Sequence, residues 1–257
     1  MSLFSIDVSI LWPALIAGLL VVVSHVPLGQ QVFARGIVFI DLAIAQVAGL
    51  GVIAASSFGL PVEGWTAQAA AGAAALAGAI LLTWTERKRP EAQEALIGIL
   101  FVLASAAQIL LLANDPHGGE NLKDLLSGQI LWVSHTQLIR TAVLTAIFAL
   151  IWFLWRERIG RVGFYLLFAV MVTASVQMVG VYLVFTSLIV PAVATYRMAA
   201  NRQLWTGYLL GFASYIVGLA LSVVTDLPSS SVIVWAMALL GLLVHLGAGR
   251  RDPARPG

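Results

Sequence analysis

Among the polar side chains inside apolar stretches of this 257-residue chain, four have types that limit the chemistry it could carry: His25, Asp41, Gln46 and Gln177. A neutral imidazole is a good ligand for zinc or manganese and an amide oxygen a weak one, whereas a carboxylate can serve as ligand or as proton relay. His25 lies ten residues before Arg35 and Gln46 eleven after it. At a helical rise of 1.5 Å per residue, both fall about 15 Å from the turn that Arg35 marks, near the middle of a bilayer. Gln177 falls at a comparable or slightly outer depth. Polar groups at that depth are costly and face a pathway or a partner helix. His25 is therefore the candidate principal metal ligand, with Gln46 orienting it or coordinating weakly and Gln177 completing a polar lining. A neutral core histidine bonded to Gln46 or Ser24 as glue between helices would read the same way. Asp41 suits a structural or gating role near the mouth.

A second group sits in the stretch NDPHGGENLKDLLSGQ, residues 114–129, which gathers Asp115, His117, Glu120 and Asp124. Gly118 and Gly119 would let His117 and Glu120 converge on a zinc or manganese ion at an entrance. The alternative is a solvated loop whose LKDLL portion caps a bundle or docks another protein. HGGE lacks the i,i+4 histidine pair of HExxH, so a zinc protease is excluded.

The elements that must hold these residues follow from composition. With 60% hydrophobic and 10% charged residues and a mean hydropathy of +0.96, the apolar surface exceeds what a soluble fold of this length could hide. Continuous runs rich in Leu, Ala, Val and Gly argue for an all-α polytopic membrane protein and against a barrel. Spans are expected at residues 11–33, 38–58, 66–84, 94–113, 136–155, 162–180, 181–198, 204–224 and 231–247, eight or nine in all, the seventh resting on a reversal near Gly180 and Pro191. By the positive-inside rule, Arg35, Arg87–Arg89, Arg156–Arg161, Arg197, Arg202 and the terminal arginines are cytoplasmic, and only Lys123 and Arg140 fall on the other side. That places the N-terminus outside and the C-terminus inside. All eight tryptophans lie near span ends, as an aromatic belt requires. Residues 1–248 are expected to form a single transmembrane domain, with 249–257 a disordered tail. The Ala-rich AQAAAGAAALAGA reads as close helix packing. No cysteine is present, so neither a disulfide framework nor a thiolate metal site is possible. The first apolar run lacks a basic n-region and reads as a retained span. Nothing suggests nucleic acid as a partner.

Five blocks, LGQQVFARGIVFIDLAIAQVAGLG, EALIGILFVLASAAQILLL, NLKDLLSGQILWVS, VQMVGVYLVFTSLIVPAVATYRMA and DLPSSSVIVWAMALLGLLV, occur in an order that resembles the permease family of ATP-binding-cassette importers for zinc and manganese. The resemblance covers most of the chain from Leu28 to Val244. It implies a bacterial inner-membrane subunit that pairs with a second permease copy as a homodimer, sits on a cytoplasmic ATP-binding subunit and receives zinc or manganese from an extracytoplasmic metal-binding protein. No covalently bound cofactor is expected. The sequence carries no G-x-x-x-x-G-K-[ST] loop, so ATP hydrolysis would be supplied in trans and the chain is not itself an enzyme.

Two departures from the family pattern stand out. Family members carry Asp-x-x-x-His in the second helix, a spacing of about 40° around the axis that lets both side chains share one ion. Gapless alignment puts Leu42 and Gln46 at those positions. Asp41 lies one residue early, roughly 140° from Gln46, so the two cannot easily chelate together. The family also has an extended segment between its fifth and sixth spans that docks on the ATPase, where this chain offers only WRERIGRVG, so coupling must be compact or borrow ERKRPEAQE at residues 86–94. A self-contained secondary cation transporter using Asp41 and His25 is the alternative. A membrane-embedded hydrolase ranks low, since no nucleophile and base share a recognisable spacing.

Overall fold

The computed structural model describes residues 8–59, 64–112, 126–128, 130–155 and 158–248. Asp115, His117, Glu120, Asp124 and the tail at 249–257 lie outside the described residues. Among those described there is no strand. The elements are α1 (Val8–Arg35), α2 (Ile40–Ser57), α3 (Gly64–Lys88), α4 (Gln93–Leu112), α5 (His135–Trp155), α6 (Arg161–Val179), α7 (Val181–Thr195), α8 (Ala200–Thr225) and α9 (Ser229–Ala248). Eight are long and apolar enough to cross a membrane. The exception is α7, whose 15 residues make a rod of about 22 Å at the standard rise, shorter than the hydrocarbon core. Most of its surface is covered by protein rather than lipid.

The apolar runs set the helices, and small residues set how they pack. In a bilayer, helices gain nothing by hiding apolar surface from one another, so association depends on close fit. At Gly18 the ring of Tyr215 occupies the space a Cβ would need, and at Gly29 the backbone of Leu188 does so. Gly207 and Gly211, one turn apart on α8, receive Val26 and Val22 of α1. Gly51 of α2 meets Ala70 and Ala74 of α3, which accounts for the Ala-rich stretch. The result is two groups of packed helices: α1, α7, α8 and α9 on one side and α2, α3 and α4 on the other, with α6 touching both.

Odd-numbered helices run toward the end of the bundle bearing Arg35, Arg87, Lys88, Arg158, Arg161 and Arg197, called here the basic end. Seven tryptophans are exposed, among them Trp65 and Trp132, as expected of a belt. Trp152 departs from that expectation. It is buried against Phe148, with ring centroids 5.4 Å apart, because it falls on the inward stripe of α5 with Thr141, Thr145 and Phe148.

A single residue, Gly180, separates α6 from α7. Its φ of +83° is a conformation that side chains rarely adopt, and a Cβ there would collide with the backbone of Ser127 and Gly128. Gly180→Ala should therefore lower stability by about 1–3 kcal/mol from backbone strain alone. Gly72 on α3 has open space around it, and Gly72→Ala should be neutral or raise stability by up to about 1 kcal/mol. Thermal unfolding of both variants in detergent checks the pair.

Candidate functional site

His25 is completely buried in α1. Its Nδ1 lies 3.0 Å from the Val21 carbonyl oxygen and 2.9 Å from Ser24 Oγ. With the proton on Nδ1 the ring donates to that carbonyl, which can only accept, and Nε2 is then the lone-pair nitrogen. That Nε2 is buried without a hydrogen-bond partner. The ring is held by its own helix, and its second nitrogen is left without a partner in the interior.

Gln46 does not join it. No hydrogen bond links the two side chains. Gln46 instead faces α4, where the Nε2 group of Gln108 donates to its Oε1 at 2.6 Å and to its backbone carbonyl at 2.8 Å. Gln108 is fully buried although α4 is otherwise largely lipid-facing. Sequence reading passed over it. The signal was present as an amide inside an apolar run, on a stripe with Gln93, Ile97 and Ala104.

Asp41, in the first turn of α2, is 1% exposed, and its Oδ1 has no partner. It lies at the basic end, where side chains from three turns interlock. Arg35 stacks on the Phe164 ring at 4.0 Å. Glu86 pairs with Arg161 at 3.7 Å. Gln93 donates to the Leu82 carbonyl at 3.0 Å and to Tyr165 Oη at 3.3 Å, while Glu94 accepts from the Phe39 backbone N–H at 3.3 Å. These contacts fasten the α1–α2, α3–α4 and α5–α6 connections to one another.

Gln177 lies at the other end, two residues before α6 stops. With Gln68, Gln137, Arg140 and Thr141 it lines a crevice between α3, α5 and α6. The predicted site residues are thus distributed over three places: His25 in the α1 core, Gln46 and Asp41 on α2, and Gln177 in the crevice. Asp115, His117 and Glu120 are among the residues not described. Among the described residues no three His, Asp or Glu side chains come together as a metal cage.

Comparison with known proteins places this architecture. The sequence profile of the ABC 3 transport family matches residues 7–160 and 157–247. A membrane protein named for an iron transport system in Haemophilus influenzae is 30% identical over 140 residues, 46% of this chain and 52% of the relative. The chain thus spans about half the length of that curated relative. The solved structure of PsaBC from Streptococcus pneumoniae in complex with Fab superposes with a TM-score of 0.74 at 23% identity, covering 91% of this chain and 90% of that one. An inward-facing structure described as a metal-chelate type ABC transporter superposes at 0.67 with 16% identity, over 96% and 91% of the two chains. The chain belongs to the ABC 3 transport family and is a multi-pass membrane component of an ATP-binding-cassette transporter.

The Gln46–Gln108 pair makes its own prediction. Gln108→Leu strands the Gln46 amide oxygen in an apolar contact and should cost about 1–3 kcal/mol. Gln46→Leu together with Gln108→Leu removes both partners and should restore much of the loss. A double-mutant cycle on thermal unfolding reads the coupling, and additive losses would mean that the two amides do not depend on each other.

Proposed function

We propose that this member of the ABC 3 transport family is the permease subunit through which a divalent transition metal ion, zinc or manganese, enters across the bacterial inner membrane. Two copies would form the path, a cytoplasmic ATP-binding subunit would drive alternating access, and an extracytoplasmic binding protein would deliver the ion. The observation that carries the reading is the state of the His25 ring. Metal-bound histidines typically donate one ring N–H to a carbonyl or carboxylate, which fixes the other nitrogen as the ligand. His25 has that arrangement in the protein core, with Nδ1 committed to Val21 and Nε2 unpartnered. One imidazole supplemented by amides and hydroxyls binds weakly, which suits an ion that must leave again. Asp41 and Gln46 extend the polar groups available along α2. Asp115, His117 and Glu120 are proposed to collect the ion at the entrance.

The basic end is proposed as the cytoplasmic face, in line with the positive-inside rule. Only a short connection separates α5 from α6, so docking would be shared between this segment and the turn carrying Arg87, Lys88, Arg89 and Glu91. The Glu86–Arg161 pair ties these two segments together, which supports their acting as one surface.

Uptake by proteoliposomes holding the chain and its ATPase tests the metal reading. His25→Ala should abolish transport of zinc or manganese while leaving folded protein in the membrane. Transport at the unchanged rate would refute the assignment, and parallel trials with ferrous iron would decide among the metals. For the docking surface, reversing charge at Arg158 and Arg161 together should release ATP hydrolysis from metal control by at least about tenfold. Hydrolysis that still follows metal in that variant would place the coupling surface elsewhere.

A further inference from the structure

The crevice between α3, α5 and α6 carries one positive charge and no negative one. Gln68, Gln137, Arg140, Thr141 and Gln177 line it beside the apolar Leu144, Ala174 and Met178. α5 begins with a capping box. Ser134 Oγ accepts from the Gln137 backbone N–H at 3.2 Å, and Gln137 Oε1 accepts from the Ser134 N–H at 3.0 Å and its hydroxyl at 3.1 Å. The Gln137 oxygen is thereby used, and only its NH2 group is left for the crevice. Gln177 likewise offers an Nε2 that is buried and unpartnered. Arg140 lays its guanidinium on the Trp65 ring, 4.0 Å from the centroid. Stacking occupies the face of the guanidinium and leaves the N–H donors at its edge free. Among the described residues Arg140 has no carboxylate partner, and none of the lining residues is acidic.

A recess that presents donors and a fixed positive charge, with no competing carboxylate, fits an oxyanion. Where it opens narrows the source. α3 and α5 do not pack on each other along their length, and the Arg140–Trp65 stack spans the gap between them with α6 behind. Trp65, on which Arg140 lies, and Val143, one turn from Arg140, are strongly exposed, so the crevice opens toward lipid at the level of the aromatic belt.

We infer that this crevice is a phospholipid headgroup site in the leaflet opposite the basic end, with Arg140, Gln137 and Gln177 binding the phosphodiester oxygens of one lipid. The Trp65 ring holds the guanidinium in place and covers one side of the headgroup. The site is remote from His25 and needs neither metal nor ATPase.

Native mass spectrometry of the full chain in detergent, titrated with phosphatidylglycerol, tests the site directly. One lipid should remain bound to the wild type under activation that strips the rest. Arg140→Gln should weaken that binding at least tenfold, Gln177→Leu should weaken it about threefold, and Arg202→Gln at the basic end should leave it unchanged. Arg140→Lys, which keeps the charge without the planar fork, should fall between and serves if the Gln variant does not fold. Equal affinity in the wild type, Arg140→Gln and Gln177→Leu would overturn the inference. A rise in Tm with inorganic phosphate alone, without retention of lipid, would replace the headgroup by a free anion and overturn the lipid assignment. Lipid retention that appears only after Asp115, Glu120 and Asp124 are neutralised would mean that the chain's own carboxylates fill the recess, which also overturns it.

Discussion

The seating of α1 against α7 and α8 through missing side chains is the contact on which most of the interior depends. Where Gly18 faces Tyr215 and Gly29 faces the Leu188 backbone, the helices approach closely enough that no lipid or loose side chain fits between them. Tyr215 Oη and Ser187 Oγ then hydrogen-bond at 3.1 Å, closing α7 onto α8, and Tyr208 Oη reaches the Val23 carbonyl at 3.3 Å. His25 lies on the same helix, fully buried, and its Nδ1 looks back to that helix. A single Cβ at Gly29 would push α7 away from α1.

Polar groups elsewhere obey the same rule, that lipid offers no hydrogen bonds. Several serine and threonine hydroxyls return to a carbonyl one turn back, as Thr83 does to Ala79 at 2.8 Å and Ser214 to Leu210 at 2.7 Å. Thr145, Thr173 and Ser175 do not. Thr145 and Thr173 lie one turn inward from Thr141 and Gln177, so the polar character of the crevice continues along the facing sides of α5 and α6. The basic end solves the problem differently, by pairing residues from different turns.

Much of the fold could be read from the chain because in a membrane the length of an apolar run dictates a helix, and the breaks fall where Gly180 or a charged turn must. The reversal at Gly180 was legible for that reason, although 162 to 198 is nearly unbroken. What could not be read was rotation. Trp152 looks like any tryptophan near a span end until the inward stripe of α5 is known, and Gln108 looks like a chance amide until α4 turns it toward Gln46. Nor could the partner of Gln46 be read, since counting along the chain gives depth and not the neighbour toward which a side chain turns. His25 could be singled out from sequence because an isolated histidine in a 28-residue helix is conspicuous whatever surrounds it.

The junction at Gly180 has a mechanical meaning. A connection of several residues can stretch or swivel and so absorb movement of one helix before the next is disturbed. Here one residue joins α6 to α7, and it is clamped against Gly128. The joint has no slack. Axial displacement of α6, which touches both groups of helices, is delivered to α7 and through the Gly29 contact to α1.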